Sequence, residues 1–84
     1  MNTVNLIIEN GFNDEVVDVI VSELSLDGYT EAHKVIKKDF NECDDLELLK
    51  KFAMIMDDHH HIVDVEPRMC ELMGEDEYFE MVEG

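Results

Sequence analysis

Positive charge is scarce in this sequence, which also has no tryptophan, one proline and two cysteines among its 84 residues. Six lysines and arginines stand against 22 aspartates and glutamates, so the formal net charge is −16 at pH 7. A nucleic-acid-binding protein needs a cationic surface, because much of its affinity comes from neutralising phosphates. Direct binding to DNA or RNA, or to an anionic membrane, is therefore disfavoured.

The two cysteines, Cys43 and Cys70, are too few for a disulfide scaffold. We therefore expect reduced thiols and a cytoplasmic protein. No basic region precedes an apolar run at the N-terminus, and no apolar run approaches the roughly 18 residues of a membrane helix. We expect neither secretion nor a membrane span. A chain of this length has room for one domain, residues 1–84.

The charge is unevenly distributed along the chain. Residues 1–33 carry seven acids and no lysine or arginine, and residues 57–84 carry ten acids and Arg68 alone. Residues 34–56 are neutral, because five acids match five lysines there: Lys34, Lys37, Lys38, Lys50 and Lys51. The net charge of the whole chain, −16, is larger than the roughly 2–8 units that keep a small domain soluble. A basic protein surface is its natural complement.

The clearest helical pattern lies between residues 44 and 64. Asp44 or Asp45 can cap a helix, and one apolar stripe of period 3.6 follows: Leu48, Leu49, Phe52, Ala53 and Met56. Glu47 and Lys51 have the spacing of an exposed ion pair. This helix is expected to be the most buried one.

The remaining segments also favour helices. Asn13 can cap a helix that includes Val16, Ile20 and Leu24, although β-branched residues leave a strand open for residues 16–21. Residues 4–8 are too short to classify. Further helices are expected after Gly28 and from Pro67 to Gly74, with an amphipathic turn or two in residues 75–84. We predict an all-α bundle of three to four short helices, with a short N-terminal strand left open.

One stretch has metal-ligand chemistry. Asp57, His60, His61 and Asp64 would form two i, i+4 pairs on one face if the helix continued through them. Adjacent histidines point in different directions on a helix, so a solvated helix end is the alternative. A metal- or pH-responsive binding protein is accordingly the second functional hypothesis, and we expect no cofactor.

Catalysis has less support. Cys43 or Cys70 could be paired with His33 or another histidine, but no spacing indicates that they meet. Their acidic surroundings would raise a thiol pKa and disfavour thiolate. No phosphate-binding glycine loop is present. We therefore expect a protein that is not an enzyme.

The C-terminal segment is the candidate partner-binding site. Met56 and Met69 are expected in the core, whereas Met73 and Met81 suit a partner or self-association interface. Tyr78 and Phe79 would be its desolvated anchors. The acids expected to contact a basic partner are Glu71, Glu75, Asp76, Glu77, Glu80 and Glu83.

In size, charge and lack of a catalytic motif, the chain resembles the small acidic helical proteins that bacteriophages encode against host defence, including DNA-mimic anti-restriction proteins and anti-CRISPR inhibitors. No residue motif carries the resemblance. It implies a viral inhibitor in the host cytoplasm that covers the cationic groove of a nucleic-acid-handling or defence protein. Residues 34–56 with their five lysines, the lysine block, are neutral. A strict DNA mimic would not need this block, so ordinary protein–protein inhibition stays open. A homodimer is also expected, and a structural or assembly subunit is a further alternative.

Overall fold

A computed structural model describes residues 2–59 and 62–83 of the chain. These residues form six α-helices: α1 (Thr3–Asn10), α2 (Asp14–Leu24), α3 (Tyr29–Glu42), α4 (Leu46–Met56), α5 (Glu66–Met73) and α6 (Glu75–Glu83). A short 3₁₀ turn, Asp57–His59, follows α4. No strand occurs in the described ranges. The all-α class is confirmed, but three to four helices was too low a number.

The number was too low because α1, α5 and α6 are helices of only eight or nine residues. Residues 4–8, which the sequence left unclassified, lie within α1. The Asn2 side chain caps this helix by accepting hydrogen bonds from Val4 N at 3.0 Å and Asn5 N at 3.3 Å. These caps satisfy backbone donors that a helix start leaves unpaired. At the other end, Gly74 has a φ of 92° and separates α5 from α6. The last segment is thus a nine-residue helix, not a turn or two.

Residues 16–21, the other open segment, lie within α2. The predicted cap is confirmed, since Asn13 Oδ1 accepts a hydrogen bond from Val16 N at 3.0 Å. Val17 and Ile20 are buried with Val16 on one face. Tertiary packing of that face outweighs the strand preference of the β-branched residues.

Helix α4 supplies the centre of the hydrophobic core. Asp45 caps it by accepting hydrogen bonds from Glu47 N and Leu48 N. Four of the five residues of its predicted stripe are buried, with no accessible surface at Leu49, Phe52, Ala53 and Met56, whereas Leu48 is half-buried. The Phe52 ring stacks on Phe40 of α3 with centroids 5.2 Å apart. Burying each large side chain contributes about 1.5–3 kcal/mol.

The other helices pack outward from α4. Helix α1 packs against α4, α3 and α2, whereas α5 packs against α4 and α6 against α5. The result is elongated, with principal extents of 39 × 21 × 21 Å. Asp39 near the end of α3 fixes the start of α1, because its Oδ2 accepts from Thr3 N at 3.1 Å and Thr3 Oγ1 at 2.6 Å.

Arg68, the sole arginine, joins α5 to the end of α3. Its Nη2 donates a hydrogen bond of 2.7 Å to the carbonyl of Cys43, the residue that caps α3. Its guanidinium carbon lies 5.9 Å from the Phe40 ring centroid. Its ion pair with exposed Asp44 is loose, at 3.8 Å. Arg68 therefore stabilises the helix packing more than it neutralises the C-terminal acids.

The predicted pairing of Glu47 with Lys51 was wrong. Glu47 instead lies 3.8 Å from Lys50, three residues along the same helix. The Glu47 side chain is 80% exposed. Water competes for both charges at such a site, so this pair contributes little to stability.

Truncating Phe52 tests the role of α4. We expect Phe52→Ala to lower the free energy of unfolding by about 3–5 kcal/mol, because it leaves a cavity among fully buried side chains. Met54→Ala is the matched control, since Met54 lies on the same helix and is 48% exposed. That variant should lose about 0.5 kcal/mol or less. Urea denaturation followed by circular dichroism measures both, and similar losses would contradict the central position of α4.

Candidate protein-binding surface

Acidic side chains cover the molecule with little compensation. Every aspartate and glutamate is exposed except Glu31 and Asp39, which are half-buried. Within residues 2–59 and 62–83, lysine and arginine form only the two loose ion pairs described above. The negative surface is therefore available to a partner.

The predicted C-terminal acids occupy two consecutive helices. Glu71 lies on α5, and Glu75, Asp76, Glu77, Glu80 and Glu83 lie on α6. All six are exposed. Three of them form the first turn of α6, where the positive end of the helix dipole stabilises carboxylates. The same residues thus favour α6 locally and concentrate negative charge at its start.

A groove adjoins these acids and contains the two predicted interface methionines. Met73 and Met81 line it together with Glu77, Glu80 and Lys50, and its volume is about 330 Å³. Both methionines are half-buried. Lys50 comes from α4, so one member of the lysine block meets the acidic segment here. The sequence alone did not show this meeting, because it depends on how α4 and α6 pack.

Tyr78 and Phe79, the predicted anchors, differ in position. Phe79 is half-buried, whereas Tyr78 is only 4% exposed and belongs to the core. Their rings meet edge to face with centroids 5.5 Å apart. A partner can therefore contact Phe79 directly but cannot stack on the Tyr78 ring.

A second cleft, of about 300 Å³, lies beside Tyr78 and was missed by sequence reasoning. Asp57, Asp64, Val65, Glu66 and Tyr78 line it. Asp64 is held in place by accepting a hydrogen bond of 3.3 Å from Glu66 N. Burial raises the pKa of the Tyr78 phenol, and the charges of Asp57 and Glu66 raise it further. The phenol therefore stays neutral at physiological pH.

The predicted metal candidates are only partly placed. His60 and His61 lie outside the described residues. Asp57 and Asp64 do line one cleft, although α4 ends at Met56 and the regular helix that would align the i, i+4 pairs does not continue. No group of three or more histidine, cysteine or acidic residues in the described ranges could hold a metal ion.

The cysteines and histidines considered for catalysis lie on different elements, with Cys70 on α5, His33 on α3 and His59 in the 3₁₀ turn. Cys43 and Cys70 are both free thiols. The pKa of the Cys70 thiol is raised, first by burial and then by the charges of Glu66 and Glu75, which disfavours thiolate as expected. His33 and His59 lie near the Phe12 ring, at centroid distances of 6.5 Å and 4.8 Å. These contacts indicate packing of the α1–α2 loop.

No protein-family model, curated protein or solved structure matches the chain. Among the described helices, none combines the length and apolar character that crossing a membrane requires. The candidate surface is therefore defined by the chain's own residues.

Alkaline titration tests the environment of Tyr78. A raised folded-state pKa means that the native protein holds the phenol proton more tightly than the unfolded chain does. This stability is complete below the ordinary pKa of about 10 and is lost as the pH rises through the folded-state value. We expect the Tm of the native sequence to fall more steeply above about pH 10 than that of Tyr78→Phe. Circular dichroism melts measure both, and parallel curves would contradict the assigned environment.

Proposed function

We propose that this chain is a non-enzymatic interaction module that inhibits a nucleic-acid-handling or defence protein of a host cell by binding its basic surface. The main support for this proposal is the set of exposed carboxylates on α5 and α6, which lysine and arginine side chains scarcely neutralise. Such a surface attracts a cationic groove over long range and speeds encounter.

The methionine-lined groove supports a protein partner in particular. Methionine side chains adapt to irregular apolar surfaces, and here they line the groove together with two carboxylates, Glu77 and Glu80. A protein supplies both apolar and cationic side chains for such a groove. A free cation or a small polar ligand would leave the methionines without contacts.

Two forms of inhibition fit this surface. In DNA mimicry, the acids take the places of phosphates in the partner's groove. In ordinary protein–protein inhibition, cationic residues also contribute, and Lys50 lies within the methionine-lined groove. Lys34, Lys37, Lys38 and Lys51 are exposed elsewhere on α3 and α4. Either form blocks the partner by occupying its binding surface, and neither requires a reaction. A phage-type counter-defence role in the host cytoplasm is the setting we propose for it.

Self-association is a separate proposal. The larger apolar side chains exposed to solvent are Val19, Tyr29, Met54 and Leu72, on four different helices. A homodimer would use part of this surface and the half-buried methionines. Its formation must overcome repulsion between two protomers that each carry a net charge of −16.

Charge reversal on α6 tests the proposed function. The chain and an Asp76→Lys/Glu77→Lys variant are used to capture proteins from bacterial lysate at low salt, with mass spectrometry as the readout. Glu9→Lys/Glu23→Lys is the matched control, because both residues are exposed and lie away from α5 and α6. Circular dichroism establishes that each variant is folded.

We expect one dominant nucleic-acid enzyme with the native and control chains and much less of it with the α6 variant. Its association with the α6 variant should be slower and less dependent on salt, because fewer charges steer the encounter. Equal capture by all three chains would place the binding surface elsewhere. Capture of no specific protein by the native chain would contradict the proposed function.

A further inference from the structure

The cleft beside Tyr78 collects carboxylates from separate parts of the chain. Asp57 follows α4, Asp64 precedes α5, and Glu66 is the first residue of α5, while Tyr78 comes from α6. All three carboxylates are exposed at the rim. Only Arg68 carries positive charge within residues 62–83, and its guanidinium is turned to the Cys43 carbonyl and the Phe40 ring. Among the described residues, none of the three carboxylates forms an ion pair with a lysine or an arginine, so the cleft is lined by negative charge.

The Tyr78 hydroxyl is a second, independent feature of this cleft. Tyr78 is only 4% exposed, yet its hydroxyl has no hydrogen-bond partner among the described residues. In the described ranges, Arg68 Nε is the one side-chain polar atom that is both fully enclosed and unpartnered. The Tyr78 hydroxyl is therefore accessible to solvent. Tyr78 lines the cleft, and the lone pairs and proton of its hydroxyl are free to bond a ligand there.

The acceptors favour an extended cation over a compact one. No three acidic, cysteine or histidine residues of the described chain are arranged to hold a metal ion. A guanidinium is planar and carries five N–H donors in a fixed fork, so it can bond acceptors that are spread across a cleft. The volume, about 300 Å³, lies at the lower end of the range of ligand pockets.

We propose that the cleft formed by Asp57, Asp64, Glu66 and Tyr78 receives an arginine side chain of the partner protein. This inference rests on the proposed function and gives it a specific contact. The carboxylates accept the charged N–H groups, and the Tyr78 oxygen accepts one more. Lysine, a compact ammonium with three donors, would satisfy fewer of these acceptors at once.

The first test uses short peptides as probes. The ¹⁵N-labelled full chain is titrated with N-acetyl-Gly-Arg-Gly-amide and followed by two-dimensional NMR. Matched peptides replace the arginine by citrulline, which keeps the shape without the charge, or by lysine. We expect saturable shifts of amides at residues 57, 64–66 and 78 with the arginine peptide, and much smaller ones with citrulline. Equal response to all three peptides, or none, would overturn the proposal.

Three variants assign the response to the cleft. Tyr78→Phe removes the hydroxyl alone, and Asp57→Asn/Glu66→Gln removes two charges from the rim. Glu9→Gln/Glu23→Gln removes the same charge elsewhere and is the control. Each cleft variant should weaken arginine-peptide binding about fivefold or more, since a hydrogen bond to a charged group is lost. Equal affinities for the cleft double variant and its control would contradict the assignment.

The failure of this proposal differs from failure of the proposed function. If lysate capture yields the basic partner and the cleft variants bind it as well as the control does, the cleft is wrong and the function stands. If the arginine peptide occupies the cleft but no basic partner is captured, the site stands and the proposed inhibition is wrong.

Discussion

Burial of one face of α4 is the interaction on which this structure depends. Leu49, Phe52, Ala53 and Met56 are fully enclosed, and α1, α3 and α5 pack around them. A net charge of −16 on so small a domain opposes compaction by self-repulsion. The apolar core has to outweigh that repulsion, because the ion pairs are loose and exposed. Stability and charge are thereby separated: the core holds the fold, and the acids remain in water.

The features that the sequence predicted are those encoded locally. The caps at Asn13 and Asp45, the stop at Gly74 and the buried stripe of α4 all follow from residue types at fixed spacing. Pro67 likewise lies in the first turn of α5. Helix α1 was left open since residues 4–8, four of which are apolar, are too few to show a decisive period. Its formation requires the Asn2 cap and the contact of Thr3 with Asp39, which is 36 residues away.

The candidate surface was predictable in part for the same reason. Acids on α5 and α6 can be read from composition, and their exposure follows from their charge. The methionine-lined groove and the cleft beside Tyr78 could not be predicted from composition, because each is lined by residues from separate parts of the chain. Asp57 and Asp64 stood out for their metal-ligand chemistry, but nothing in the sequence joined them to Glu66 and Tyr78. Tyr78 shows the limit most clearly, since it belongs to the core and also lines a cleft.

The separation of core and charge fits the inhibition that we propose, which works by binding alone and needs no catalysed reaction. Because the core outweighs the repulsion among the acids, the exposed carboxylates remain in water, where they are accessible to a cationic groove. In the function we propose, the methionine-lined groove and the acidic cleft add apolar and directional contacts to a long-range attraction. Specificity would come from these contacts, and speed of binding from the charge.

Competition with duplex DNA is the most direct test of the central claim, that the acids occupy a surface which otherwise binds phosphates. The captured partner, bound to the immobilised chain, is challenged with increasing duplex DNA and, as a control, with simple salt at matched ionic strength. We expect DNA to release the partner well beyond the effect of salt alone. Retention of the partner at saturating DNA would contradict it and place the inhibitory contact at another surface.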